Sequence, residues 1–207
     1  MVADQVSQAV RFFNFPASKS EPEFRRKLKR LLVAAGLYED IGFSQGWGFI
    51  ACSLLLHAEE EDVYAVFTSL LRALDAKKFY ERASQNIQKT TERFFYEFDY
   101  PNAQRNRIHL SKIGMFPGTT LREFYQTWGF TWVPSRFHLK LVQGIWANGW
   151  NFLHELLARI FAQLSPVILT LSIVDLQEVL RFPASDELQR KFAYSFSWDL
   201  IFGKYSN

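Results

Sequence analysis

The residues best equipped for chemistry stand together at Gly42-Phe43-Ser44-Gln45-Gly46. With Ser44 as the reagent, the five letters satisfy G-x-S-x-G, the sharp strand-to-helix turn that presents a serine oxygen as a nucleophile. With Gln45 as the reagent, they present an amide finger instead. The two readings demand different surroundings. A nucleophilic serine needs a buried strand before it and an acid and then a histidine after it.

The elements around the motif favour the glutamine. Upstream, Phe24, Leu28, Leu31, Leu32 and Ala35 recur at the spacing of an amphipathic helix, where the serine reading requires a strand. Ser20 with Glu23 forms a capping box at its start, and Gly36 sits where a helix C-cap glycine belongs. Asp99 before His109 has the order of a serine triad's acid and base, but a chain of 207 residues supplies such pairs by chance. A serine hydrolase using Ser44 is therefore the remote alternative.

With the glutamine as reagent, Gly42-Phe43-Ser44-Gln45-Gly46 resembles the G-[YF]-x-Q-G motif of the TBC domain, the catalytic domain of Rab GTPase-activating proteins. Phe49-Ile50-Ala51-Cys52-Ser53-Leu54-Leu55-Leu56-His57-Ala58 and Glu59-Glu60-Glu61-Asp62-Val63-Tyr64-Ala65-Val66-Phe67 are similar to that family's apolar helix, acidic turn and second helix. Further on, Tyr125-Gln126-Thr127-Trp128-Gly129-Phe130-Thr131-Trp132-Val133-Pro134 looks like its tryptophan, phenylalanine and Leu-Pro segment. Gly149, fifteen residues past Pro134, matches the glycine that ends its Ile-Trp-Asp helix. The likeness runs from about residue 5 to about residue 182, and implies a compact all-α, multi-helix fold.

Bulk composition agrees with one ordered core. At 207 residues the chain can bury a sizeable interior, and no linker composition divides it, so residues 1–207 are expected to form a single domain, with 183–207 as a C-terminal helical extension. Aromatics make up 17% of the chain, including 21 Phe, which suits dense helical packing. A net charge of +3 with 22% charged residues gives no nucleic-acid footprint. The only cysteine, Cys52, lies in the apolar helix after the motif and reads as a small buried thiol.

No basic n-region with a long apolar h-region opens the sequence, and its longest apolar runs are too short to span ~30 Å of hydrocarbon. The expectation is an intracellular protein, soluble or peripheral and cytoplasmic by default; Arg11 among few early acids leaves organelle import open. His57, His109, His138 and His154 lack metal-ligand spacing, and no phosphate-cradling glycine loop occurs. Neither metal nor cofactor is expected, and the chain is not itself a GTPase.

Apolar periodicity predicts helices over 3–15, 21–35, 44–57, 61–75, 78–97, 105–112, 119–131, 135–147, 150–164, 167–171, 173–181 and 186–203, with prolines such as Pro134, Pro166 and Pro183 between them. Ser172 with Asp175 forms another capping box. The basic run Arg25, Arg26, Lys27, Lys29 and Arg30 reads as the solvent side of its helix rather than as a membrane or partner surface. The acidic run Glu59 to Asp62 reads as complementing a helix dipole.

The family's chemistry maps unevenly. Its members supply a glutamine that orients the hydrolytic water and an arginine that offsets charge on the transferring phosphoryl group. The resemblance assigns the glutamine to Gln45, with Phe43 where the family has a tyrosine. The arginine falls on Arg11, 34 residues before Gln45, but Gln8 replaces the aspartate and Gln5 the isoleucine of its Ile-x-x-Asp-x-x-Arg motif. Anchored instead on Pro16, the finger position falls on Phe13. Val142 and Gln143 occupy the tryptophan and aspartate positions of the Ile-Trp-Asp helix, and Trp47 with Gly48 stands where Met and Asn are usual. The chain also begins close to the arginine motif, so the resemblance implies that the family's leading helices are absent.

The resulting expectation is a catalytically degenerate TBC-like domain, a pseudoenzyme serving as a binding or scaffold subunit of a larger assembly. The alternative is an active Rab-type GTPase activator using Arg11 and Gln45. Phe43, Gly46 and Trp47, together with the terminal aromatics Phe12, Phe15, Trp198 and Phe202, are the expected contacts to a GTPase or protein partner.

Overall fold

The computed structural model describes residues 2–12, 21–38, 46–81, 83–97, 99–113 and 120–203. It is all-α, with no strand among the described residues. The helices are α1 (Val2–Phe12), α2 (Glu21–Tyr38), α3 (Trp47–Leu55), α4 (Glu60–Ala73), α5 (Ala76–Glu81) and α6 (Ala83–Glu97). They continue with α7 (Ala103–Lys112), α8 (Thr120–Gln126), a short 3-10 turn (Ser135–Phe137), α9 (His138–Ile168), α10 (Ile173–Arg181), α11 (Asp186–Phe192) and α12 (Trp198–Phe202). The described element that precedes Ser44 is the helix α2, and the all-α fold offers no strand among the described residues to support the serine hydrolase reading.

α3 sets the arrangement. Every residue from Trp47 to Leu55 except Phe49 is buried, so the helix needs protein on all sides. α1, α2 and α4 pack around it. α2 contributes Phe24, Leu28, Leu31, Leu32 and Ala35, the stripe read from its spacing. Its opposite side is solvated, and three of its cations are met within the chain: Arg25 Nη2 lies 2.6 Å from Glu21 Oε1, Lys27 Nζ lies 3.0 Å from Glu59 Oε2, and Arg30 pairs with Glu60 at the start of α4.

Several boundaries differ from expectation. α2 passes through Gly36 to Tyr38. The helix expected to reach 131 stops at Gln126, where Trp128 adopts a left-handed φ of 50°. Gly129 N–H then donates to Phe124 O at 2.8 Å and Trp128 N–H to Tyr125 O at 3.4 Å, the paired bonds of a Schellman ending. Ala193 (φ 53°) closes α11 in the same way, Tyr194 N–H reaching Gln189 O at 3.1 Å. Conversely, α9 continues past Pro166 to Ile168. Buried Leu164, Val167 and Ile168 hold its last turn despite the hydrogen bond the proline gives up.

Within α9, Gly149 (φ 53°, ψ −130°) breaks the helix where the family likeness placed a helix-ending glycine. The break turns Trp150 toward the end of α4, where its Nε1–H donates to Leu74 O at 2.9 Å. Ser172 Oγ caps α10, accepting from Asp175 N–H at 3.3 Å as its capping box requires.

Two buried histidines tie the core together. His138 Nε2–H donates to Val133 O at 2.7 Å, which leaves Nδ1 to accept from Ser53 Oγ of α3. Tyr125 OH donates to His154 Nδ1 at 2.6 Å. Burial pushes both imidazoles from 6.5 to about 4, with His57 adding to the effect on His138 and Arg93 to that on His154. The unfolded chain therefore binds protons that the fold refuses between these values. Stability should be level above about pH 6.5 and fall as pH drops toward 4. Urea titrations across that interval should show uptake of about two protons on unfolding, and His138→Asn should make the slope shallower by about one.

Candidate functional site

The described helices on either side of the sequence-read site are α1, which carries Arg11, and α3, which begins two residues after Gln45. α1 packs directly on α3. Arg11 occupies the last turn of α1 on its exposed side. Val6, Ala9 and Val10 supply the buried side, so helical spacing leaves Arg11 and Gln8 facing water. Arg11 makes no ion pair or hydrogen bond among the described residues. Phe43, Ser44, Gln45 and Phe15 lie outside the described residues, as does the side chain of Phe12, whose backbone closes α1.

The motif's last glycine is described, and its role is steric. Gly46 has φ 112°, and a Cβ there would run into Gln126 O while touching Thr127 Cγ2 at 3.4 Å. The backbone just after Gln45 is thus pressed against the left-handed turn that ends α8. Gly46 N-caps α3, with its carbonyl accepting from Phe49 N–H at 3.0 Å. Thr127 Oγ1 donates to Glu123 O at 2.9 Å and meets Thr131 Oγ1 at 2.9 Å, which stiffens the turn. Sequence reasoning missed this support. Its only signal was the Trp-Gly pair inside a period that otherwise continues as helix.

Several expected partner contacts prove to be interior. Trp47 is 0% exposed and meets the Phe67 ring edge-on at 5.8 Å. Gly46 is buried too. Trp198 and Phe202 are 3% and 1% exposed, and Phe202 stacks on Phe137 at 5.0 Å. The stripe on α12 is therefore corrected from an outward surface to a core element, because the chain's own α9 and its leading 3-10 turn lie within reach to cover it. Val142 is buried and Gln143 exposed on the first half of α9. Burial raises the Cys52 thiol to about 12, which keeps it protonated. Ser53 and His138 form a serine–histidine pair, but both are buried and the second ring nitrogen is spent on Val133 O, so no substrate bond can reach them.

The model of the Rab-GTPase-TBC domain matches residues 6–169. The chain belongs to that family. The matched span of the TBC domain opens inside α1 and closes just after α9, so it includes both Arg11 and Gln45. Among curated relatives, the small G protein signaling modulator 3 homolog of Xenopus laevis is 30% identical over 125 residues, 60% of this chain and 16% of that protein. Its Rattus norvegicus counterpart is 29% identical over the same length and shares. A TBC domain-containing protein of Schizosaccharomyces pombe is 28% identical over 118 residues, 56% of this chain and 27% of that one. The chain thus spans well under a third of the length of each of these relatives.

In this TBC domain Gly46, the residue next to Gln45, is packed tightly against Gln126, which gives a direct test. Gly46→Ala should cost about 1–3 kcal/mol through overpacking against Gln126, with strain at positive φ added. The loss should appear as a lower melting temperature. Gly203→Ala, where a Cβ meets nothing within 4 Å, should leave the melt unchanged within about 0.5 kcal/mol.

Proposed function

We propose that this TBC domain is a catalytically degenerate member that acts as a binding or scaffold module for a protein partner. The observation carrying this reading is the setting of Arg11. It is exposed at the end of α1, with Gln8 three residues before it instead of the motif's aspartate, and no described group holds its guanidinium. An arginine finger contributes about 10³–10⁵ in rate only when rigidly placed. The segment beyond the matched span is taken as part of the same domain. Gln163 and Ser197 support this by exchanging hydrogen bonds, Nε2–H to O at 3.2 Å and N–H to Oε1 at 2.9 Å.

The second reading, an active GTPase activator, is favoured by the docking of α1 on α3, which puts the helix bearing Arg11 against the helix that begins right after Gln45. The partner would then be a Rab-type small GTPase, a class in keeping with the small G protein named in two of the relatives. On the leading reading the partner is a larger assembly. No helix among the described residues is long and apolar enough to cross a membrane, which is compatible with a soluble or peripheral protein.

Phosphate release from a panel of GTP-loaded Rab proteins separates the two. The leading reading expects stimulation below about tenfold for every GTPase, unchanged by Arg11→Ala or Gln45→Ala, against the ~10³ or more of a working finger. Strong stimulation abolished by either substitution would overturn it in favour of catalysis.

A further inference from the structure

Away from α1 and α3, the junction of α5, α6 and the second half of α9 forms an open pocket of about 370 Å³ that neither reading above employs. Its rim is cationic. Lys89 and Arg93 project from one face of α6, four residues apart, and Lys78 projects from α5 opposite them. Asp75 is the one carboxylate among the described lining residues. Arg93 also pairs with Glu97 at 3.2 Å on the exposed side of α6, whereas Lys78 and Lys89 make no ion pair among the described residues.

The interior is built and fixed. Trp150 lies against Phe79 with ring centroids 4.3 Å apart and planes tilted by 32°, and its Nε1–H is held by Leu74 O at 2.9 Å. Asn86 donates through Nδ2 to Lys78 O at 3.0 Å and to Phe79 O at 2.9 Å, tying α6 to α5. His154, 3% exposed, lies at the bottom, and the Arg93 charge reaches it. Two backbone irregularities shape the mouth: Gly149 turns Trp150 toward it, and Asp75 at φ 46° separates α4 from α5.

We propose that this cavity binds a phosphomonoester carried on a ring-sized polyol, the phosphate held by Lys78, Lys89 and Arg93 and the ring lying against Trp150, which Phe79 backs from the core side. Three convergent cations drawn from two helices suit a multiply charged oxyanion better than a single carboxylate. The aromatic wall gives a sugar or cyclitol ring a flat face to cover. The volume admits such a headgroup.

The test uses the intact chain. Calorimetric titration with inositol trisphosphate and with inorganic phosphate is paired with flotation on phosphatidylcholine vesicles containing phosphatidylinositol bisphosphate, with phosphatidylserine vesicles as the control for diffuse charge. Saturable binding of inositol trisphosphate or of the bisphosphate vesicles is expected, weakened about tenfold or more by Lys89→Glu and by Lys78→Glu, both with exposed side chains that make no ion pair among the described residues. Lys112→Glu, an exposed α7 cation outside the cavity, should change the affinity less than about twofold. Binding by vesicles alone would assign the ligand to a lipid headgroup, and binding by the soluble phosphate would assign it to a free metabolite; both support the cavity. Absence of saturable binding to either, or equal weakening by Lys112→Glu and Lys89→Glu, would overturn it. Melting curves of each variant, expected to match the parent, exclude unfolding as the cause.

Discussion

A nine-residue helix with no polar side cannot rest on the surface, and α3 is such a helix. Its burial requires neighbours on every side, which places α1, α2 and α4 around it and draws Ser53 into contact with His138 of α9. Everything at the candidate site hangs from this requirement. The residue just before α3 is Gly46, the next in sequence after Gln45, so the depth of α3 fixes the point at which the chain leaves the motif.

Such depth brings a steric condition. The chain enters α3 beside the end of α8, so close that only a glycine fits against Gln126 O. The approach is possible because α8 terminates in a left-handed turn at Trp128, a costly conformation for a bulky residue. That indole is fully buried, as are its neighbours Phe130 and Trp132, and their burial offsets the local strain. Two segments separated by some eighty residues in the chain thus become a single support, with the small residue on one strand of backbone and the aromatic anchor on the other.

Charge is distributed unevenly across the same framework. The basic run on α2 is partly neutralised by Glu59 and Glu60, whose place at the start of α4 also suits the helix dipole. Lys78 of α5 and Lys89 of α6 make no ion pair among the described residues and border a pocket lined by Trp150 and Phe79. Two clusters of similar composition therefore differ in what they offer a ligand: one is largely committed inside the fold, the other remains open.

The sequence by itself determined the helices, since apolar spacing, caps and glycines are local properties. Phe24 to Ala35 on α2, the capping serine Ser172 and the helix break at Gly149 were all legible there. So were the family motif around Gln45 and the missing aspartate at Gln8. Tertiary structure decided what each apolar stripe would face. Helical spacing groups Trp198 with Ile201 and Phe202 but says nothing of what covers them, and the covering surface comes from Phe137 and α9, distant in sequence. It also decided where regular structure stopped: Trp128 leaves a helix that its own period would continue, and Pro166 stays in one that its ring would end. In both, burial of neighbouring side chains outweighs a local backbone preference of a few kcal/mol at most. The cavity rim belongs to the same class, because Lys78 and Lys89 meet only after Asn86 joins α6 to α5. Such pairings depend on the sum of many contacts made at once, and no window of sequence contains that sum.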